Sequence, residues 1–279
     1  MGGAGGEPMP LSAPRRLRVP GHFGELLQGR LGPAGPVVLV TLPCAALGTT
    51  IHGRAARRLA IHDPARVLGP GAARRLLAGL GARPVHAALR SDLPPGGGAG
   101  ASTAALVALA RFAAPDARPE RIARAALAIE GATDPLMFDA PERLLWASRM
   151  GAVVARRDAM PPLDVVGALF GPPCRTDPLD DAFPDISDLV PEWRAARDAA
   201  ALAAVASESA RRTLALRGPA DDPAPALAAR LGALGFAIAH TGPARALVFA
   251  PGTVPPGAAA TLRAAGGRGV LRFRAGGGR

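Results

Sequence analysis

The segment Gly96-Gly-Gly-Ala-Gly-Ala-Ser-Thr103 carries the strongest local signal for chemistry in this chain. Glycines at 96, 97, 98 and 100 let the backbone take left-handed conformations and come close to a ligand. An apolar run, Ala104–Ala114, follows at once and reads as a helix, so Ser102 and Thr103 fall where it begins. Free N–H groups and the positive end of the helix dipole converge there, which makes a natural anion site. Successive backbone amides can hold a triphosphate without any lysine, and Ser102 Oγ could ligate Mg2+. The same residues also fit a loop capped by Ser102 that holds no ligand.

Three further segments place polar groups in turns. Val19-Pro-Gly-His-Phe-Gly-Glu-Leu-Leu-Gln-Gly29 projects Glu25 and Gln28 from a glycine-punctuated turn, and Gln28 is the only glutamine of the chain. Ile129-Glu-Gly-Ala-Thr-Asp-Pro-Leu-Met-Phe138 sets Glu130 and Asp134 four residues apart. A persisting helix would put both carboxylates on one face, where they could hold Mg2+ or act as a base. A helix end at Gly131 followed by an Asp-Pro turn fits the same letters. Ala239-His-Thr-Gly-Pro-Ala-Arg245 presents His240 and Thr241 side by side in a tight turn. His22, His52, His62 and His86 sit in no nucleophile pattern, and no G-x-S-x-G elbow occurs, which argues against a serine hydrolase.

The elements that must position these groups alternate irregularly. Leu17–Val19 reads as a short strand ending at Pro20-Gly21, and Val37–Leu42 as a buried strand between Pro36 and Pro43. Thr49–Ile51 and Leu59–His62 add edge strands, and Val85–Leu89 a strand leading into the glycine loop. Helices are expected over Ala72–Leu80, Ala104–Ala114, Pro119–Ile129 and Pro141–Met150. Ala152–Ala155 and Leu163–Leu169 read as a hairpin around Met160-Pro161-Pro162. Residues 176–192 are acidic and proline-interrupted, as in a long surface loop or lid. A long helix Trp193–Leu216, a helix Ala224–Leu234 closed by Gly235, strands Phe236–His240 and Ala246–Phe249, a helix Pro256–Ala265 and a strand Val270–Phe273 complete the chain. This pattern predicts an α+β fold in two subdomains, split near 155–160, behind a disordered tail over residues 1–14.

Composition removes several classes. The chain has 279 residues and a formal charge of +11, and every one of its 33 basic residues is arginine. Tyrosine, asparagine and lysine are absent. A Walker A loop, the ATP-pairing lysine of protein kinases and Schiff-base chemistry all need lysine and are excluded. A phosphate must therefore meet backbone amides, a metal or arginine. The arginines are scattered and aromatics make up only 4% of residues, which leaves little for base stacking and argues against a nucleic-acid partner. No apolar run approaches the ~20 residues that span a bilayer, so no membrane partner is expected. No signal-peptide core is visible near the start, and Cys44 and Cys174 are too few for a disulfide framework. A reduced cytoplasmic setting is expected.

Taken in order, the four segments resemble the GHMP kinase superfamily. The form Pro20-Gly-His-Phe-Gly-Glu-Leu-Leu-Gln-Gly29 is similar to its L-threonine kinase branch, linked to cobalamin synthesis and propanediol utilisation. That branch's loop Gly-Lys-Gly-Met-Ala-Ser-Ser-Thr-Ala-Asp matches Gly96–Ala105, with Gly97, Ala101 and Ala105 replacing its Lys, Ser and Asp. Its Ile-Glu-Pro-Thr-Asp matches Ile129-Glu130 and Thr133-Asp134 with one residue inserted, and its Ala-His-Ser-Gly-Thr turn matches Ala239–Pro243. His22-Phe23 stand where small residues or Cys are usual.

The resemblance implies an N-terminal ATP-binding part over 15–157, like domain 2 of ribosomal protein S5, and a ferredoxin-like α/β part over 158–279. It implies ATP phosphates on Pro95, Gly96, Gly97, Gly98, Ala99, Gly100, Ala101, Ser102 and Thr103, with Mg2+ on Ser102 and Glu130. It implies Asp134, together with Ser102 and Glu130, as the catalytic group, with Asp134 orienting or deprotonating the substrate hydroxyl. The acceptor would meet His22, Glu25, Gln28, His240, Thr241 and Gly242, with Glu25 taking the ammonium of L-threonine. The implied reaction turns L-threonine and ATP into O-phospho-L-threonine and ADP. A kinase for another small alcohol and a nucleotide-binding paralogue without catalysis also fit the departures.

Overall fold

The computed structural model describes residues 13–278, so the expected tail lies outside the described residues except for Ala13 and Pro14. Two long strands carry the architecture. β1 (Arg15–Arg30) and β2 (Val37–Ala55) pair antiparallel along nearly their whole length. The chain then adds β3 (Ala60–His62), α1 (Pro70–Gly79), β4 (Val85–Ser91), α2 (Ala101–Ala113) and α3 (Pro119–Glu130). After a short 3-10 turn at Pro141–Arg143 come β5 (Leu144–Ala147), β6 (Ala152–Arg156) and β7 (Leu163–Leu169). The remainder is α4 (Leu189–Ala195), α5 (Ala199–Arg217), α6 (Ala224–Leu231), β8 (Gly235–Ile238), β9 (Ala244–Phe249), α7 (Ala258–Ala264) and β10 (Arg268–Ala275). One sheet runs in the order β10-β7-β9-β8-β1-β2-β4-β3, and the β5–β6 pair joins it at β2. The fold is α+β.

Burial explains where the helices sit. α1 turns Ala73, Leu76 and Leu77 inward, the i, i+3, i+4 spacing of one helical face. α2 is buried over nearly its whole surface, from Ala101 through Thr103–Ala110 to Phe112. It lies against β1 and β2 and fixes the loop that precedes it. α5 packs on β1 and β8 with Leu202, Ala203, Val205 and Ala206 in the core. Asp198 starts α5, its carboxylate accepting from Ala201 N at 2.8 Å.

Several expectations are corrected. β1 does not stop at Pro20-Gly21, because register shifts there and between His22 and Glu25 and between Glu25 and Leu27 absorb the irregularity as bulges. β2 runs unbroken through Pro43, joining two expected strands into one. The helix expected over Pro141–Met150 is a turn followed by β5, whose four residues are all buried. A short apolar run buried on both faces has no period that separates strand from helix. β6 and β7 do not form a hairpin: β6 pairs with β5, and β7 with β9 and β10. The expected helix Trp193–Leu216 is two, α4 and α5, broken before Asp198, and the acidic loop gives up Leu189–Glu192 to α4. α6 ends at Gly232, in left-handed conformation with φ 62°, before the expected Gly235.

Candidate active site

The bulges of β1 decide which side chains meet. In a regular strand, residues three apart face opposite sides of the sheet. Gly24 takes φ +81°, and a Cβ there would lie 3.1 Å from the Ile238 backbone. This glycine bulge turns His22 and Glu25 to the same side, where His22 Nδ1 lies 3.3 Å from Glu25 Oε1. On its other side, His22 Nε2 lies 3.3 Å from Asp134 Oδ2. One buried imidazole thus bridges two carboxylates that are distant in sequence.

The glycine loop is held with one polarity. The carbonyls of four successive residues all point into the protein. Gly96 O accepts from Cys174 N at 2.9 Å, Gly97 O from Ala244 N at 3.1 Å, Gly98 O from Gly24 N at 3.4 Å and Ala99 O from His22 N at 3.2 Å. The N–H groups of residues 98–103 have no acceptor among the described residues. α2 has no side-chain cap, and Gly100 precedes it at φ 73°. A helix start of this kind leaves its first amides free for an anion. The expected cap by Ser102 is not made.

These groups share one cleft of about 550 Å3. Its wall includes Pro95, Gly96, Gly98, Ala99, Gly100, Ala101, Ser102 and Thr103, and its floor His22, Glu25, Glu130 and Asp134, with His240 and Thr241 at one side. Three expected residues are not on that wall. Gln28 is fully buried, its amide donating to Ile238 O at 3.0 Å while its backbone and Ser209 bond each other. It fastens β1 to β8 and α5. Gly97 forms the turn itself, donating to Pro94 O at 2.9 Å. Gly242, at φ +98°, backs the loop, where a Cβ would come within 2.7–2.9 Å of Gly96 O, Gly98 N and Gly97 C.

Glu130 and Asp134 are brought together without a continuing helix. α3 ends at Glu130, and Gly131 turns the chain at φ 73°. Thr103, at the start of α2, gathers both: its hydroxyl donates to Glu130 Oε2 at 3.0 Å and lies 3.5 Å from Asp134 N. The Ser102 hydroxyl stands beside the same Glu130 carboxylate. A hydroxyl and a carboxylate next to free amides are hard oxygen donors of the kind Mg2+ takes, together with phosphate oxygens and water. The residues present therefore fit Mg2+ and a nucleotide phosphate.

The electrostatics follow from burial opposed by pairing. Burial alone would lower the pKa of His22, but Glu25 and Asp134 outweigh it and push it up to about 9. Burial raises the Glu25 carboxyl well above its usual range, with His22 opposing. Burial would raise Asp134 too, yet the His22 charge 3.3 Å away brings it below the usual value. The arrangement is an imidazolium beside an ionised Asp134. Glu130 is pushed up to about 7 by burial, against its hydroxyl partners. His240 is held down at about 3 by burial and the Arg149 charge, and stays a neutral ring stacked on Phe183 at 4.2 Å.

Sequence reasoning missed Arg66, Arg75, Cys174, Arg175 and Thr176, which all line the cleft. Thr176 Oγ1 and Thr241 Oγ1 share a hydrogen bond of 2.7 Å, which joins the 170s segment to the C-terminal turn. Arg66 is the only non-glycine among the described residues with positive φ, at 52°. No local pattern marks these residues, because only the tertiary fold brings them to the loop. The three arginines bring positive charge to the cleft that the glycine loop walls.

Gly98 tests how tightly the loop is set. At φ +76°, an added Cβ would meet Thr241 O at 2.5 Å and also the Ala239 side chain. Gly98→Ala is expected to cost about 2 kcal/mol of stability and to weaken nucleotide binding. Urea unfolding and calorimetric titration with ATP check both, and an unchanged affinity would show that the loop is not the phosphate cradle.

A family model described as "GHMP kinases N terminal domain" matches residues 66–141, the stretch holding the loop and the Glu130–Asp134 turn. The overall fold is similar to that of several solved kinases. A putative homoserine kinase from Listeria monocytogenes aligns over 95% of this chain and 97% of its own, with TM-score 0.62 and 20% identity. The phosphomevalonate kinase of Streptococcus pneumoniae aligns over 95% and 100%, with TM-score 0.68 and 10% identity. The mevalonate kinase of Methanococcus jannaschii aligns over 95% and 98%, with TM-score 0.64 and 11% identity. No curated protein sequence matches the chain. The chain therefore has the fold of these kinases and carries a segment that matches the GHMP kinases N-terminal domain. Among the described residues, no helix is long and apolar enough to cross a membrane.

Proposed function

We propose that the protein is an ATP-dependent kinase of small alcohols and that its acceptor is L-threonine. The observation that carries the reading is the one-sided loop: four carbonyls tied back, the amides free at an uncapped helix start, and an ionised Asp134 in the same cleft. Phosphoryl transfer asks mainly for positioning and charge neutralisation. The amides of residues 98–103 and the cleft arginines would receive the triphosphate. Mg2+, held by Ser102 and Glu130, would neutralise charge on the phosphates.

In the proposed step the acceptor hydroxyl oxygen bonds to the γ-phosphorus, the bridge from γ-phosphorus to the β-phosphate oxygen breaks, and ADP leaves. Asp134 accepts the hydroxyl proton, and His22 fixes its orientation. Glu25 has one oxygen, Oε2, that is buried without a hydrogen-bond partner. The ammonium of an amino acid would satisfy it. The division into an ATP-binding part over 15–157 and a C-terminal part over 158–279 belongs to the same proposal, as does the product, O-phospho-L-threonine for the aminopropanol arm of cobalamin synthesis.

Purified protein with Mg2+ and ATP should release ADP with L-threonine faster than with homoserine, mevalonate or other small alcohols. Release with another alcohol alone would replace the substrate. ATP binding with no acceptor turned over would favour a nucleotide-binding protein without catalysis. Glu130→Gln should lower kcat about a hundredfold and raise the Mg2+ concentration needed for half-maximal rate. An unchanged Mg2+ dependence would remove Glu130 from the metal site.

A further inference from the structure

Three of the five histidines lie far from the cleft, on the open face of the sheet. The strand register places them together. His52 on β2 stands opposite Ala88 on β4, and His62 on β3 stands opposite the same Ala88 from the other side. His86 lies two residues along β4, so its side chain leaves the same face. The opposite face carries Ile51, Val85, Ala87 and Leu89, all buried in the core under α2. His52, His62 and His86 are exposed and line one shallow depression with Ala88 at its centre.

We propose that His52, His62 and His86 form a surface site for one divalent transition-metal ion of the zinc, nickel or copper class. Strands about 4.8 Å apart set His52 and His62 about 10 Å from each other, with His86 about 8 Å from each. A point above the sheet between Ala88 and His86 is then about 6 Å from all three Cα atoms, the span of an imidazole plus one metal–nitrogen bond of ~2 Å. Ala88 is small enough to leave that point open. Three imidazoles without a carboxylate suit a borderline metal and not Mg2+ or Ca2+. They also leave a fourth position for water or a donor from a partner. Arg54 and Arg16 stand opposite His86 and His52 in the register, and both are exposed. Their charge opposes the ion through solvent, so raising the salt concentration should tighten binding.

That sign separates this site from the other candidate. Among the described residues only His22, Glu25 and Asp134 have ligand atoms already within 4.8 Å of one another, so the three surface imidazoles must rotate to converge on an ion; a site with two carboxylates, however, loses affinity for a cation as salt rises. The test is calorimetric titration of the full chain with zinc chloride and with nickel chloride at two salt concentrations. One ion per chain is expected, bound more tightly at the higher salt. His62→Ala and His86→Ala should each weaken it by at least about tenfold, and Ala88→Leu, which keeps all three ligands, should weaken it as well. Far-UV circular dichroism checks that each variant is folded, and Cys174→Ser should bind as the parent does. Absence of binding by the parent chain would overturn the proposal. So would equal affinity in the folded triple variant at 52, 62 and 86. ADP release is independent of this site and should be unchanged in the His variants.

Discussion

Asp134→Asn is expected to lower kcat by about three orders of magnitude while leaving the KM for ATP within a fewfold of the parent value. General-base assistance contributes about a hundred- to ten-thousandfold, and Asp134 is the carboxylate in the cleft held in its ionised form, by the His22 imidazolium 3.3 Å away. The amide keeps the shape and cannot take the proton. It also removes the group whose protonation produces the acid limb of the pH–rate profile, so that limb should disappear, and the His22 transition should move to lower pH because one of the charges that raise it is gone. The free amides of residues 98–103 are untouched, so nucleotide binding should persist in calorimetry. Loss of ATP binding in the folded variant would mean that Asp134 shapes the loop instead of acting on the acceptor. Full activity would return the proton to solvent and leave His22–Asp134 a packing device.

How far the sequence revealed this site depends on the distance over which each signal acts. The loop 96–103 and the start of α2 were legible because glycine spacing and an adjoining apolar run are local properties. Glu130 and Asp134 were legible as a pair, but for a reason the structure replaces: Thr103 gathers them across a turn, whereas four-residue spacing suggested one helical face. Gln28 misled, because rarity marks constraint without saying whether the constraint is chemical or structural, and its amide nitrogen donates to Ile238 O, away from the cleft wall. The pairing of His22 with Glu25 was hidden, since strand periodicity separates residues three apart and only the bulge at Gly24 reunites them. β5 was misread as helix for a related reason: burial on all sides erases the period. Arg66, Arg75 and Arg175 lay below detection because composition had already scattered arginine over the whole surface.

Stability of the unliganded protein is expected to fall by up to about 3 kcal/mol as pH rises from about 6.5 to about 9. His22 binds its proton more tightly folded, with its pKa pushed up to about 9, than unfolded. Its contribution is therefore complete below the unfolded value and lost as pH passes through the folded one. Glu130, pushed up to about 7, and Glu25, pushed well above its usual range, add losses of the same sign, because burial penalises each carboxylate only in the folded chain. Asp134, held low, acts in the opposite direction, and its share is lost only on acidification below the ordinary carboxylate range. The unliganded chain should thus be most stable on the acid side of neutrality. Urea midpoints between pH 5 and pH 9 read this directly. Two changes separate the contributions. Mg2+ with ATP should abolish the Glu130 share, since a bound cation favours the carboxylate. Glu25→Gln removes one of the two charges that hold the His22 proton, so the break near 9 should move to lower pH. A flat stability profile, or a break unmoved in Glu25→Gln, would mean that the imidazole bridging Glu25 and Asp134 is neutral, and that Asp134 enters the reaction without a cation beside it.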